Sequence, residues 1–262
     1  MMRALTTAGT GMVSQQYNLD TIANNLANVN TTAFKQLRAE FQDLMYETAR
    51  ASGVTTVGTG RAPGPIQIGM GSRFASSAAS MKQGPVSPSN NPTDLAINGE
   101  GFFVVARPGG EVAYTRDGAF RVDAEGVLVT GEGLRLQPEI RIEVGTTAIS
   151  ISSSGVVSGT RPGANESEEI GQITIAVFPN PAGLTRNGNN LFEAGGGSGE
   201  PQIVVPGENG SGYLQSGFLE GSNVQVVDEM VKMITAQRAY EINSKAIMTA
   251  DEMLGIISNL KR

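Results

Sequence analysis

The sequence predicts an α+β fold in which long N- and C-terminal helices form a coiled-coil-like terminal domain and an antiparallel β-rich domain is inserted between them. Two observations carry this. Leu5, Met12, Leu19 and Leu26 recur every seven positions near the start, as do Val226, Met233, Tyr240, Ile247 and Leu254 near the end. A seven-residue apolar repeat keeps one seam of a helix turned toward a partner helix. From Asp94 to about Glu220, by contrast, short β-prone runs alternate with turn dipeptides. The domain plan is therefore an N-terminal helix over 1–30, a connector over 31–93, an outer β-rich domain over 94–221 and a C-terminal helix over 222–262.

The first helix is expected over residues 3–29, which hold no proline, with Ala8, Ile22 and Val29 flanking its stripe. About 27 residues at 1.5 Å each make it roughly 40 Å long. Asn28, Asn30, Thr31 and Thr32 then end it, because short polar side chains compete for backbone hydrogen bonds. The sharpest local motif lies here, ANNLANVNTTAFK at 23–35, with Asn24, Asn25, Asn28 and Asn30 close together. An ordered amide network with Asn24 and Asn28 on one face accounts for it, and so does a fraying turn rich in capping residues. Asn24, Asn25 and Asn28 join the two stripes as candidate assembly residues.

A second, short helix is expected from Phe34 to about Glu47, with Phe34, Leu37, Phe41, Leu44 and Met45 on one face. Between Ala49 and Ser80 the periodicity vanishes into Gly, Ser, Thr and Pro. That composition reads as a flexible surface loop, yet it is long for a loop inside a compact domain. An extended strap from about Glu47 to Ile66, lying on a neighbouring subunit and anchored by Val54, Val57, Pro63, Pro65 and Ile66, is the sharper alternative.

Strands are expected at Leu95–Ile97, Phe102–Ala106, Val112–Thr115, Phe120–Val122, Val127–Thr130 and Leu134–Leu136, separated by Asn98-Gly99, Gly109-Gly110, Asp117-Gly118 and Glu125-Gly126. Others follow at Ile140–Val144, Ala148–Ile151, Val156–Val157, Ile173–Phe178, Leu191–Glu193 and Ile203–Val205. The pattern is that of a sandwich or barrel. An echo of YTRDGAF (114–120) in LTRNGNNLF (184–192) is either a repeated hairpin or ordinary turn chemistry.

The last helix has its start signal at Ser222 and Gln225, a capping-box pair, with Asp228 and Glu229 in the first turns and Lys261 and Arg262 at the end. Gly255 is the only glycine between Asn223 and Leu260, and no proline interrupts. Single helices are marginal in water. Both stripes must find partners, and another copy of the chain is the obvious one, which points to assembly rather than chemistry.

Composition excludes much else. With no His and no Cys among 262 residues, the usual zinc and copper ligands, the commonest general base and the thiol nucleophile are all missing. No metal, cofactor or small-molecule substrate is expected. A formal charge of −6 argues against binding nucleic acid. The apolar run Phe102–Ala106 is the longest and far too short to span a bilayer, and the N-terminus lacks a continuous apolar region, so no cleavable secretory signal is expected.

The motif ANNLANVNTTAFK resembles the N-terminal signature of the axial proteins of the bacterial flagellum, the rod and hook family. The resemblance extends in order through GEGFFVV (99–105), YTRDGAFRVDAEGVLVT (114–130) and SNVQVVDEMVKMITAQRAYEINSKAIMTADEML (222–254). FKQLRAEFQDLMYETAR (34–50) followed by PIQIGMGSR (65–73) is most similar to the distal rod members. Ala33 departs from the pattern, since many members carry Gly there, and Ala disfavours a left-handed turn. The resemblance implies a helical tube of identical subunits, terminal helices inside and β domain outside, acting as a rigid drive shaft that spans the periplasm in the flagellar basal body. It implies as partners the proximal rod proteins, the hook protein or hook junction, the L-ring and P-ring bushing proteins, and the flagellar type III apparatus that exports the chain.

Other readings remain beside it. Another axial member, from the proximal rod or hook, is the nearest. A secreted hydrolase could draw on Asp94, Glu100, Asp117, Asp123 and Glu125, because two carboxylates suffice for glycoside cleavage. These residues sit beside turn glycines, however, where acidic side chains are common for structural reasons. A coiled-coil adhesin would keep its heptads in one stretch instead of dividing them between the two ends.

Overall fold

The computed structural model describes residues 2–50, 64–143, 148–161 and 168–260. It is α+β, with one long helix at each end and an antiparallel β-rich middle. Two compact units emerge: a helical unit of Met1–Ala27, Leu37–Ala78 and Gln225–Arg262, and a β unit of Asn28–Gln36 and Ala79–Val224.

In the helical unit α1 (Met2–Ala27) packs against α2 (Val226–Leu260). A two-stranded ribbon accompanies them, in which β1 (Leu37–Asp43) pairs with β4 (Ser72–Ala79) and β2 (Tyr46–Arg50) with β3 (Ile66–Gly69). The β2–β3 register matches Tyr46 with Gly69 and Thr48 with Gln67 and shifts before Arg50, which faces Ile66. The ribbon runs back along α1. Asn25 bonds the Leu37 backbone, Tyr17 stacks on Phe74 at 5.0 Å, Ser14 meets Ser72 at 3.1 Å, and Arg3 pairs with Glu47 at 2.6 Å. At Gly71, with φ +113°, a β-carbon would lie 2.0 Å from Thr10 Oγ1, so only glycine lets the ribbon bend against α1 there.

Residues 34–47 are thus not the short helix the apolar spacing predicts. Leu37, Ala39 and Phe41 alternate with Arg38, Glu40 and Gln42, so the same residues fit a strand period as well as a helix period. Cross-strand partners decide between them. Arg73 reaches Gln42 at 3.1 Å, Ser76 reaches Glu40 at 2.9 Å, and Phe74 packs edge-on to Phe41 at 6.0 Å. Ile66–Gly69 and Ser72–Ala79 likewise pair as strands where composition reads as loop.

The strands of the β unit are β5 (Val86–Pro88), β6 (Leu95–Asn98), β7 (Phe102–Ala106), β8 (Val112–Thr115), β9 (Arg121–Val122), β10 (Leu128–Val129), β11 (Arg135–Gln137), β12 (Ala148–Ile151), β13 (Val156–Thr160), β14 (Glu168–Gln172), β15 (Ile175–Val177), β16 (Thr185–Arg186), β17 (Leu191–Glu193), β18 (Gln202–Val204), β19 (Tyr213–Ser216) and β20 (Phe218–Glu220). The main sheet runs β16-β17-β8-β7-β11-β10-β9, and β15 joins β7 to β18. β12-β13-β14 form a second sheet, and β6 and β5 pair with β19 and β20. Phe103, Val105, Phe120, Leu128, Leu136, Ile173 and Ile175 make the core, while Phe102, Tyr114, Phe178 and Phe192 build a second aromatic cluster. Ile140 and Ile142 are buried without forming a strand, and Arg141 makes only an isolated bridge to Val127.

Ala33 takes the left-handed conformation despite its side chain, with φ +54°, and donates its N–H to Glu220 O at 2.8 Å. Left-handed geometry costs a non-glycine residue about 1–2 kcal/mol. Ala33→Gly is expected to raise stability by about 0.5–1 kcal/mol once the greater freedom of the unfolded glycine is subtracted, measured by denaturant midpoints.

Candidate assembly site

In the helical unit, α2 buries one line of residues spaced by seven. Glu229, Ala236 and Ala250 are fully buried and Asn243 is half-buried. Small side chains on this line let α1 approach closely, and a β-carbon added to Gly11 would stand 3.0 Å from Asn243 Nδ2. Of the stripe picked out by sequence, Met233, Ile247 and Leu254 flank this line half-buried, while Val226 and Tyr240 are exposed. On α1, Ile22 is buried and Leu5, Met12, Leu19 and Leu26 are half-buried. Asn28 and Val29 lie beyond the end of α1, half-buried in the β unit.

The opposite side of α2 carries exposed apolar residues interspersed with Arg238, Glu241, Lys245 and Glu252. Val227, Val231, Ile234, Ile242, Met248 and Ile256 are each more than half exposed, and at 3.6 residues per turn they share the side turned away from Ala236. Within one subunit only one of its faces is covered.

The asparagine motif resolves residue by residue. Asn25 is 1% exposed; its Oδ1 accepts from Leu37 N at 2.8 Å, and its Nδ2 donates to Leu37 O at 2.8 Å and Glu229 Oε2 at 3.0 Å. Glu229, itself buried, also accepts from Lys232 at 2.7 Å. One amide therefore fixes the start of the ribbon and the first turn of α2. Asn24 is exposed, and Asn28 accepts from Thr31 Oγ1 at 3.1 Å within the turn. Asn25→Ala strands the two Leu37 groups and is expected to cost about 2–3 kcal/mol, read from equilibrium unfolding of the helical unit. The capping box at Ser222 and Gln225 does not form, since α2 begins at Val226 and Ser222 Oγ accepts from Val224 N instead.

Of the strap residues, Val54, Val57 and Pro63 lie outside the described residues; Pro65 and Ile66 are exposed where the ribbon returns. Beside them Met45, Tyr46, Ile68 and Met70 are exposed as well.

The β unit holds a buried charge cluster that sequence reasoning missed. Glu220 Oε1 accepts from Lys35 Nζ at 2.6 Å and Gly84 N at 2.9 Å, and Oε2 accepts from Arg116 Nε at 2.8 Å. The side chains of Lys35, Glu220 and Arg116 are 1%, 0% and 5% exposed. Lys35 also donates to Lys82 O, and Arg116 to the carbonyls of Gly101, Ile97 and Gly99. Arg186 lies between the rings of Phe34 and Phe192 and donates to Lys35 O at 2.5 Å. The arginines of both TR-x-G segments thus converge on Lys35. Asn223 completes the clamp, accepting from Gln36 N and donating to the carbonyls of Ser80 and Lys82. Three segments distant in sequence, 33–36, 80–84 and 220–223, are tied into one base.

The electrostatics follow from burial. Lys35 is held below its ordinary pKa first by desolvation and then by the charge of Arg116, which outweigh the pull of Glu220. Desolvation alone would raise Glu220, but the charges of Arg116 and Lys35 and the hydrogen bonds from Lys35 and Gly84 outweigh it and hold the carboxyl below its ordinary value. No single signal marks these residues in the sequence, because a lone Lys, Arg or Glu is usually solvated.

Three of the five candidate carboxylates are committed to their own turns. Asp94 is bonded by Ser89 and Asn91, Asp117 by Ala119 N and Asn190, and Asp123 by Ala124 N. Glu100 and Glu125 are exposed.

Known proteins match the chain along most of its length. Residues 5–35 match the family described as flagella basal body rod protein, residues 96–159 the flagellar hook protein FlgE/F/G D1 domain, and residues 215–260 the flagellar basal body rod FlgEFG protein C-terminal region. The chain is 50% identical over 264 residues to flagellar basal-body rod protein FlgG of Borreliella burgdorferi, with 100% of both chains covered. It is 44% identical over 261 residues to the FlgG of Caulobacter vibrioides, covering 99% of this chain and 100% of that one. It is 39% identical over 270 residues to the FlgG of Bacillus subtilis, with 100% of both covered.

Proposed function

The chain belongs to the flagellar basal-body rod protein family, and on that premise we propose that it is a structural subunit of the distal rod. It self-assembles into a rigid helical tube that transmits torque from motor to hook. The observation that carries this reading is the second set of apolar residues on α2, Val227, Val231, Ile234, Ile242, Met248 and Ile256, which one subunit leaves bare among the charges of that side. Exposed apolar surface on this scale is expensive in water and marks an association site. Repeated from copy to copy, α1 and α2 make a coiled-coil-like inner layer, and the β unit forms the outer one. Proximal rod proteins lie below, the hook or hook junction above, the L- and P-rings around it, and the type III apparatus delivers the chain to the periplasm-spanning rod. The protein is not an enzyme in this reading.

Stiffness is assigned to the ribbon and the segment it carries. Met45, Tyr46, Ile66, Ile68 and Met70 offer apolar side chains to a neighbour, and the strap of residues 47–66, with Val54, Val57, Pro63 and Pro65, packs between subunits and locks them. Deleting Ser52 to Gly64 removes no described strand. The variant is expected to keep the parent's thermal unfolding while its tubes bend or shed subunits more readily in electron micrographs. Tubes as straight and durable as the parent's would exclude the strap.

A further inference from the structure

Asn-Gly pairs occur at 98–99, 187–188 and 209–210, and they sit in very different surroundings. Asn98 is half-buried and donates to the Tyr213 hydroxyl at 2.6 Å, while the Gly99 N–H is engaged by Gln83 Oε1 at 3.1 Å. Asn187 is exposed, but its amide donates to Glu193. Asn209 and Gly210 are both exposed and form the centre of a two-residue turn, with φ +51° and +78°, closed by Ser211 N–H donating to Glu208 O at 2.9 Å. Among the described residues neither the Asn209 side chain nor the Gly210 N–H has a hydrogen-bond partner. The electrophile and the nucleophile of one reaction are therefore adjacent and free. Glycine adds no side chain to hinder their meeting.

We propose that Asn209 is a self-modification site, the position at which this chain deamidates without an enzyme. The Gly210 amide nitrogen, its proton lost to hydroxide, attacks Asn209 Cγ. The N–Cγ bond forms, the Cγ–Nδ2 bond breaks, and Nδ2 leaves as ammonia, giving a succinimide. Water then adds to one of the two ring carbonyls and opens the ring to an aspartyl or isoaspartyl residue. Either product places a new negative charge beside Glu208. The isoaspartyl form also lengthens the backbone inside a two-residue turn, whose following residue, Gly212, is anchored by donating to Glu100 O at 2.7 Å. The modification thus loosens the β18–β19 connection and makes that end of the β unit more acidic.

The test follows the full-length protein by peptide mass mapping during incubation in mildly alkaline buffer, once folded and once in denaturant. Unfolded, the three pairs should gain the mass of amide-to-acid exchange at similar rates, because they share the same local chemistry. Folded, Asn209 should keep nearly its unfolded rate, whereas Asn187 and Asn98 should fall behind by about tenfold or more, since each must first break its hydrogen bonds. Asn209→Gln should abolish the early mass gain and leave the other two sites as they were. Conversion of Asn98 or Asn187 ahead of Asn209 in the folded protein, or equal protection of all three, would overturn the proposal.

Discussion

Glu220→Gln is expected to destabilise the β unit by about 3–5 kcal/mol, the usual cost of removing one partner from a buried ion pair. The shape of the side chain is kept, so the loss reports charge. Lys35 and Arg116 would remain beside a neutral amide, both buried, with Arg186 close behind. Lys35→Met in the same background should recover part of the loss by removing one of the stranded cations, and the cycle built from the single and double variants measures their coupling. If Glu220→Gln unfolded at the parent's denaturant midpoint, the cluster would not hold the base of the β unit together.

The same cluster sets the response to pH. Glu220 has a folded pKa below its unfolded one, so its contribution is present above the ordinary carboxylate range and is lost as pH falls through the folded value. Lys35 is also depressed, so between its folded value and its ordinary one the unfolded chain binds more protons, and stability rises with pH there. The parent should therefore weaken in acid, and Glu220→Gln should flatten that acid limb.

How much of this was legible beforehand depended on the range over which each signal acts. β7, β8, β12 and β17 lie where period-two runs and turn dipeptides place them, because both are local. The ribbon was not legible, since Leu37 to Asp43 fits two periods and its partner, Ser72–Ala79, lies some thirty residues on in a stretch that reads as loop. Asn25 was visible only as one of several asparagines; burial beside Leu37 singles it out. Lys35 and Glu220 are 185 positions apart, so their pairing is a property of the fold alone. On α2, the seven-residue repeat marks the seam from Val226 to Leu254, and the exposed apolar residues of the far side stayed hidden because Arg238, Glu241, Lys245 and Glu252 lie among them and make that side read as solvated.

That second face bears the other large effect. Ile234 is 57% exposed in the subunit, so Ile234→Asp should leave subunit unfolding unchanged. In the tube it would bury an unpaired carboxylate at every contact, at about 3–5 kcal/mol each, or roughly a hundred- to several-thousand-fold in affinity per contact. Ala236→Asp is the contrasting variant: Ala236 is buried against α1, and its replacement should unfold the helical unit itself. The most direct test is an electron cryo-microscopy reconstruction of the tube formed by the parent chain. The account predicts a straight tube in which Val227, Val231 and Ile234 pack against a neighbouring subunit. A tube in which this face of α2 remains open to solvent would contradict it.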